Sequence, residues 1–420
     1  MSIAKSPENE LREPSNQGRP LGVYIHFPWC LSKCPYCDFF SIATQSVIPH
    51  EAYADAVITE FDGRFRAIEP ATIRSLYFGG GTPSLWEVNA VGRVIRHILD
   101  AFVSASSAIE VTLECNPSSF GQAKCCEWQD VGVNRLSLGL QSLNDSDLKY
   151  LGRAHDASEG LAALDMALAS GMPRVCADLI FGLPGRLPSD AVAEIKRLPL
   201  DALSHLSVYA LTIEQNTPFG ALARAGRLAL APDDLVADAF VALHEELSAA
   251  EFEHYEISNY ARCGKRSVHN MGYWQGYDYL GLGVAAFGTV NVNGQQSFSL
   301  PVTERIRYRN TTRIPHYLEL CSGESVEKLW QLQPTGLLAD HELIDSETGL
   351  AERLMLGLRT RDGIDLDELC QQFDINAWLT KRRPAIERLV RKGRLNKDGA
   401  KLKIPFNSWF LADGTIAELI

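Results

Sequence analysis

Long hydrophobic runs are absent from this 420-residue sequence, although 46% of its residues are hydrophobic. A helix that crosses a membrane needs about 20 consecutive apolar residues. The apolar stretch YLGLGVAAFGTV, at 279–290, is shorter than that and rich in glycine. We therefore expect no integral membrane segment.

An apolar core is also lacking in the first twenty residues, MSIAKSPENELREPSNQGRP. A secretory signal peptide requires such a core. We therefore expect residues 1–20 to form a disordered polar arm, and the protein to be cytoplasmic. In that reducing compartment the ten cysteines are expected to be thiols or metal ligands rather than disulfides.

A positive net charge is missing as well, because 40 Lys and Arg residues face 52 Asp and Glu residues, for a formal charge of −12. An acidic surface repels phosphate backbones, so nucleic acid is not an expected partner. The basic segment 379–403 is the exception, and we interpret it as a solvated helix face. Internal repeats of solenoid type are also absent.

Short apolar segments closed by turn residues are present: 21–27, 74–80, 108–117, 134–142, 174–184 and 203–212. Their near-continuous apolar character is typical of strands that are buried on both faces. Segments with helical spacing alternate with them, most clearly 51–65, 86–102 and 158–170. This alternation predicts an α/β fold with a parallel sheet, either an incomplete barrel or a doubly wound sheet. Such folds carry function where strands end.

The alternation fades after residue 230, which predicts three structured regions. Residues 21–230 form the partial barrel, and residues 231–335 form a linking α/β region. Residues 336–420 form a smaller, mostly helical C-terminal domain with a hairpin, which resembles a winged helix. That likeness concerns the fold alone and carries no function.

The segment YIHFPWCLSKCPYCDFF, at 24–40, places Cys30, Cys34 and Cys37 on one loop after the first predicted strand. Structural zinc sites need four ligands, usually two cysteine pairs, and no second pair lies nearby. Iron–sulfur clusters are held by thiolates at short spacing. Three thiolates would leave one iron of a [4Fe–4S] cluster open to another ligand. Plain thiols, or a zinc site completed from other elements, are the alternatives.

The same segment resembles the signature of the radical S-adenosylmethionine (SAM) superfamily, Cys-x3-Cys-x2-Cys with an aromatic residue, here Tyr36, before the third cysteine. The resemblance implies an incomplete (β/α)6 barrel and a [4Fe–4S] cluster whose open iron is chelated by SAM. An electron from the cluster then cleaves SAM to a 5′-deoxyadenosyl radical. The stretches YFGGGTPS, LSLGLQSLN, LGRAHDA and DLIFGLPG are similar to the branch that contains oxygen-independent coproporphyrinogen dehydrogenases and HemW heme chaperones.

Polar residues and glycines at the predicted strand ends are candidates for SAM binding. Glycines let a ligand approach the backbone, as in GGGTP at 79–83. A guanidinium such as Arg153 suits a carboxylate, and a buried Asp178 needs a partner. The resemblance places SAM contacts at these positions: Tyr24, Tyr36, Gly80, Gly81, Thr82, Glu114, Gln141, Arg153, Asp178 and Ala210.

Two features separate the members of this branch. The dehydrogenases have a fourth cysteine two residues after the third, where this sequence has Phe39. The stretch HNMGYW, at 269–274, matches a His-Asn-x-x-Tyr-Trp motif that HemW proteins carry and that is linked to heme binding. The resemblance implies heme contacts at His269, Tyr273 and Trp274, with the imidazole as axial ligand. A structural histidine packed among aromatic residues is the alternative.

These features favour a heme chaperone of the HemW family that binds the cluster, SAM and heme. It would transfer heme to an acceptor protein and use an electron donor that the sequence does not identify. One alternative is a radical SAM enzyme that decarboxylates coproporphyrinogen III. A second is a radical SAM enzyme that modifies RNA through the basic C-terminal segment. Phe39 and HNMGYW favour the chaperone, and the acidity of the chain disfavours RNA.

Overall fold

The computed structural model describes residues 18–44, 46–102, 109–119, 121–292, 304–323, 326–375 and 377–420. The polar arm expected at 1–20 therefore lies almost entirely outside the described residues. The strands are β1 (Arg19–Phe27), β2 (Trp29–Cys30), β3 (Ile42–Ala43), β4 (Ala71–Gly80), β5 (Glu110–Cys115), β6 (Arg135–Gln141), β7 (Val175–Phe181), β8 (His205–Ala210), β9 (Glu253–Glu256), β10 (Asn259–Ala261), β11 (Asp278–Leu282), β12 (Phe287–Val292), β13 (Glu304–Asn310), β14 (Leu338–Ile344), β15 (Ile364–Asp365), β16 (Asn396–Asp398) and β17 (Lys401–Lys403).

The α-helices are α1 (His50–Phe65), α2 (Val88–Asp100), α3 (Gln122–Asp130), α4 (Asp145–Tyr150), α5 (Ala157–Ala169), α6 (Pro188–Ile195), α7 (Pro218–Arg224), α8 (Asp233–Ala249), α9 (Val268–Trp274), α10 (Ile314–Cys321), α11 (Ser346–Gly357), α12 (Leu366–Phe373), α13 (Ala377–Arg391) and α14 (Ala412–Ala417). None of the helices in the described part of the chain has the length and apolar content that a membrane span needs.

A twelve-stranded sheet forms the centre of the molecule, in the order β14-β13-β12-β11-β1-β4-β5-β6-β7-β8-β10-β9. The six predicted strands are confirmed as β1, β4, β5, β6, β7 and β8, and each pairs with its neighbour in parallel. The sheet is open, because β14 and β9 stand at its two edges. An open parallel sheet with helices between its strands confirms the predicted α/β architecture.

Burial explains why these segments form strands and helices. Val23, Ile25 and Phe27 on one face of β1 are fully buried, and His26 on the other face is buried as well, as a strand covered on both faces requires. In α2 the buried residues recur at helical spacing, for example Val91 and Val94. The parallel strands therefore bring their carboxyl ends to one edge of the sheet, where the cysteine loop also lies.

The linking region supplies more of the main sheet than the sequence indicated. β11 lies beside β1 as a further parallel strand, and β12, β13 and β14 extend that side in antiparallel fashion. The β9–β10 hairpin extends the other side beyond β8. In the C-terminal region, α11–α14 accompany a small sheet in the order β15-β17-β16. The division into domains stays a prediction, and β14 carries the main sheet to Ile344.

Candidate functional site

The cysteine loop is closed by short pairings at its two ends. β2 pairs with β3 in parallel, and the Thr44 amide donates to the carbonyl of Cys30 at 2.8 Å. Within the loop, the Cys37 amide donates to the carbonyl of Cys34 at 3.2 Å. All ten cysteines are free thiols, and the three of this loop are partly buried. The loop therefore presents three thiols from a fixed backbone.

These thiols open onto a cavity of about 510 Å³ at the carboxyl ends of the parallel strands. Every residue predicted to contact SAM lines it except Tyr24: Tyr36, Gly80, Gly81, Thr82, Glu114, Gln141, Arg153, Asp178 and Ala210. The volume lies within the usual range for a small-molecule site. Tyr24 instead lies behind the wall, where its hydroxyl is hydrogen-bonded to Nδ1 of His26 at 3.0 Å. The sequence pattern thus names one contiguous site.

The glycine segment joins this cavity to the cysteine loop. The Gly81 and Thr82 amides donate to the carbonyls of Phe27 and Trp29 at 2.7 and 2.8 Å. Gly80 has a φ of +108°, and a Cβ there would lie 2.5 Å from the ring of His26. The packing of β4 against β1 therefore requires glycine at position 80, whether or not a ligand also approaches the backbone there.

His26 lies between these elements. Its Nε2 is hydrogen-bonded to the carbonyl of Phe40 at 2.8 Å, so it also touches the far end of the cysteine loop. Burial lowers the pKa of His26 to about 4, and the ring is neutral at pH 7. The uncharged ring of His26 therefore packs between the cysteine loop and Gly80 at the end of β4.

Two half-buried carboxylates face the cavity. The Tyr77 hydroxyl donates to Oε1 of Glu114 at 2.7 Å, and the Gly80 amide donates to Oε2 at 3.3 Å. Burial raises the pKa of Glu114 to about 7. Asp178 accepts a hydrogen bond from the Ser137 hydroxyl at 2.9 Å, which gives this half-buried carboxylate a partner. Each carboxylate keeps acceptor capacity for a ligand.

Arg153 connects the carboxylate side of the cavity with the thiols. Its Nη2 donates to the carbonyl of Gly139 at 2.8 Å, and its Nη1 lies 3.7 Å from Sγ of Cys34. Its Nε is buried without a hydrogen-bond partner among the described residues. Such an orphaned donor is costly unless a ligand accepts from it. Gln141, at the end of β6, has a φ of +66°, an uncommon conformation that concentrates at functional sites.

The residues of this cavity fit a cluster held by three thiolates with SAM beside it. The fit rests on three thiols at one cavity mouth, an unsatisfied guanidinium donor and two carboxylates. No three His, Cys, Asp or Glu side chains converge on a single metal ion within the described ranges. A zinc site completed from another element therefore has no support, whereas a cubane separates its thiolates.

The HNMGYW residues lie on α9, which is not part of the cavity wall except at Asn270. The ring of His269 is buried, with Nδ1 hydrogen-bonded to the Ser75 hydroxyl at 2.8 Å and Nε2 to the Tyr273 hydroxyl at 3.1 Å. The space beside it measures about 10 Å³, which is far too small for a porphyrin. The carbonyl of Trp274 accepts from Arg353. In this arrangement His269 has no free nitrogen for a heme iron.

Sequence reasoning missed several wall residues, and one signal for them was present. Arg135, Ser137, Gly139 and Gln141 alternate along β6, and all four line the cavity. Alternate residues of a strand share one face, so the prediction of Gln141 as a site residue also indicated Arg135, Ser137 and Gly139. Tyr77 has no such signal, because an aromatic residue in an apolar strand is ordinarily core.

The fold and the three-thiol cavity define a radical SAM protein. Residues 24–198 match the model of the Radical SAM superfamily, and residues 344–411 match that of the HemN C-terminal domain. The structure is similar to that of coproporphyrinogen III oxidase (HemN) from Escherichia coli, with a TM-score of 0.75 and 20% identity over 96% of this chain and 90% of that one. At that identity the likeness concerns the fold.

More specific similarity comes from sequence relatives. The heme chaperone HemW of Escherichia coli K12 is 36% identical over 271 residues, which are 64% of this chain and 70% of that protein. HemW of Haemophilus influenzae is 35% identical, over 71% of this chain and 76% of that protein. HemW of Mycobacterium tuberculosis H37Rv is 30% identical over 405 residues, 96% of this chain and 95% of that protein. The chain belongs to the HemW family.

Proposed function

We propose that this protein is a heme chaperone that holds a [4Fe–4S] cluster on Cys30, Cys34 and Cys37, binds SAM beside it and passes heme to an acceptor protein. The observation that carries the proposal is the similarity to a heme chaperone along 96% of the chain. Phe39 adds support, because this position, a cysteine in the dehydrogenases, offers no thiolate here. A separate donor would reduce the cluster.

The residues of the cavity divide the binding of SAM between them. The free Nε of Arg153 suits the SAM carboxylate, because a guanidinium binds carboxylates through charge-assisted hydrogen bonds. Glu114 and Asp178 offer acceptors to amino and hydroxyl groups. The segment Gly80–Thr82 would lie against the amino group. When bound, the cluster and SAM together supply one-electron reductive chemistry.

The place of heme follows from what the chain leaves accessible. For His269 to bind heme iron, α9 would have to move, because both ring nitrogens are engaged. Apolar side chains at the cysteine loop are exposed without any such movement: Leu31 by 50%, Phe39 by 70% and Ile42 by 36%. A porphyrin face can pack on this loop surface, which we define as Leu31, Phe39 and Ile42.

A parallel titration tests the proposal. After anaerobic reconstitution we expect stable binding of about one heme per chain, seen as a Soret band, and transfer of that heme when an acceptor is added. We expect no decarboxylation of coproporphyrinogen III with reduced cluster and SAM. Formation of protoporphyrinogen IX over many turnovers would overturn the chaperone function in favour of the dehydrogenase.

A pair of variants tests the loop surface. Phe39→Ser removes the most exposed of its three side chains and should weaken heme binding several-fold. Leu230→Ser is the matched control, since Leu230 is 53% exposed but lies outside the loop and the cavity lining. Equal heme affinity in both variants would exclude the loop surface as the heme site while leaving heme binding itself untouched.

A further inference from the structure

The HNMGYW helix α9 touches the wall of the cofactor cavity from behind. The ring of His269 stacks on that of Tyr77, with centroids 4.7 Å apart and an angle of 21° between the planes. Tyr77 lines the cavity, whereas His269 does not. Tyr77 therefore faces the cavity, and His269 packs against the opposite side of the Tyr77 ring.

His269 is held in this place from three sides. Its amide donates to Oε1 of Glu110 at 3.0 Å, and its two ring nitrogens are bonded to Ser75 and Tyr273. A Cβ at Gly22 of β1 would lie 3.3 Å from Nδ1, so the absence of a side chain there makes room for the ring. Burial lowers the pKa of His269 to about 3, which keeps the ring neutral at pH 7. Because the ring of His269 is held in place, it restricts the position of the Tyr77 ring that stacks on it.

Tyr77 connects His269 to a carboxylate of the cavity. Its hydroxyl donates to Glu114 at 2.7 Å, and within the described part of the chain no other side chain is hydrogen-bonded to Glu114. The other oxygen of Glu114 accepts the Gly80 amide, at the start of the glycine segment. The position of Tyr77 therefore determines where the carboxylate points.

We infer that His269 is a positioning residue of the SAM site, which acts through Tyr77 and the carboxylate of Glu114. The inference rests on the SAM binding proposed above and is independent of where heme binds. It gives the histidine of HNMGYW a role that its buried, doubly bonded ring can perform without a change of conformation. Loss of the ring leaves a void behind Tyr77, so that Glu114 loses its aligned donor.

The test measures SAM affinity and its pH dependence on the reconstituted full chain, by isothermal titration from pH 6 to 8.5. We expect His269→Ala to weaken SAM binding about tenfold. We expect Tyr77→Phe, which keeps the ring and removes only the hydroxyl, to move the pH midpoint of SAM binding upward. The reason is that the lost hydrogen bond lowers the pKa of Glu114 in the native protein. His269→Ala should move the midpoint in the same direction, and the double variant no further.

The groups around Glu114 also influence its pKa, and therefore the pH midpoint of SAM binding. Titratable and charged side chains face Glu114 from each packed element: Tyr24 on β1, Tyr77 on β4, Arg135 on β6, Asp178 on β7 and Tyr273 on α9. Burial raises the pKa of Tyr77 and lowers that of His269, so both side chains are neutral from pH 6 to 8.5 and replacing them removes no charge. A shared shift in the midpoint is therefore assigned to the lost hydrogen bond.

His254→Ala is the matched control. His254 is also a buried histidine that stacks on a tyrosine, Tyr260 at 4.0 Å, but it lies outside the cavity lining. It should leave both the SAM affinity and the midpoint unchanged. If His269→Ala does not fold, His269→Gln removes the ring while keeping a polar group for Ser75, and the same shifts are expected from it.

Heme titration of the same variants separates the two roles. We expect the Soret band of heme-loaded His269→Ala to match that of the native protein. Native SAM affinity and a native pH midpoint in His269→Ala would overturn the inference, and a changed Soret band beside them would assign His269 to heme. Absence of heme binding in every variant and in the native protein would remove the proposed chaperone function and leave the SAM result to stand by itself.

Discussion

At the scale of single residues, the three thiols of the loop carry the cluster assignment. A cubane bound by three thiolates loses its support when one of them is removed. We therefore expect replacement of Cys30, Cys34 or Cys37 by Ala to abolish the uptake of about four irons per chain on anaerobic reconstitution. Iron and sulfide assays measure this. Cys126→Ala removes an exposed thiol of α3 and should keep full uptake; loss of iron there would contradict the assignment.

Arg153 is the residue whose unsatisfied donor most directly indicates a ligand. Hydrogen bonds to charged groups contribute about 1.5–3 kcal/mol, and we expect Arg153→Ala to weaken SAM binding by that amount. Isothermal titration of the reconstituted protein measures the change. Arg186→Ala is the control, because Arg186 pairs with Asp147 beside a separate cavity. Native SAM affinity in Arg153→Ala would remove Arg153 from the site.

At the scale of secondary-structure elements, the end of β4 is shaped by one glycine. Gly80 tolerates no larger residue, because its φ is +108° and a Cβ there would lie 2.5 Å from the ring of His26. We expect Gly80→Ala to lower the free energy of unfolding by more than about 1 kcal/mol and to weaken SAM binding. Gly121→Ala, where a Cβ meets nothing within 4 Å, should change stability little. Urea unfolding compares the two.

The contact of α8 and β9 with the segment Phe406–Leu411 predicts a dependence on pH. His254 stacks edge-on against Trp409 there, and its Nδ1 faces Nδ1 of His244 at 3.3 Å. Burial lowers the pKa of His254 to about 3, so the unfolded chain, with an ordinary value near 6.5, takes up the proton first. This contribution to stability is complete above about pH 6.5 and is lost as the pH falls toward 3.

The variant His254→Gln isolates this effect, because glutamine does not titrate. Between pH 7.5 and 5 we expect the native protein to lose about 2 kcal/mol more of its free energy of unfolding than the variant does. Urea unfolding at both values measures the difference. Parallel pH curves for the two proteins would show that His254 is protonated equally in the folded and unfolded states.

At the scale of the whole molecule, the sequence predicted the parallel half of the sheet well because each strand is local and apolar. β11 was missed because its partner β1 lies far away in the sequence, with Asp278 opposite Leu21. The sequence of β11 carries no sign of which distant strand it pairs with. The β9–β10 hairpin is local, but its strands are only four and three residues long, too short for a clear alternating pattern.

The candidate site was also predicted only in part. Motifs near strand ends identified the lining residues, since parallel strands bring those ends together whatever their exact packing. The orientation of His269 was not readable, because it depends on Ser75, Tyr77 and Tyr273 from two elements that meet only in the fold. A motif gives residue types, whereas the accessible face of a ring is a tertiary property.

The position of β1 inside the sheet predicts how truncation acts. A chain that ends at residue 262 lacks β11–β14 and leaves one side of β1 unpaired. Exposed edges of apolar strands associate, so we expect that chain to aggregate. A chain that ends at residue 345 keeps all twelve strands of the main sheet, so we expect it to aggregate less than the shorter chain, although it uncovers the apolar side chains that α11–α14 pack against. Size-exclusion chromatography compares them; a monodisperse shorter chain would contradict the prediction.

The pairing of Leu21 with Asp278 also sets an order of events during synthesis. Among the strands of the main sheet, β1 is made before all the others, yet β11, one of its two neighbours, is made only after β10. Until then the nascent protein carries an open strand edge next to three free thiols. Closing so long a loop is slow. Assembly of the proposed cluster therefore belongs after β11 has been made and has paired with β1.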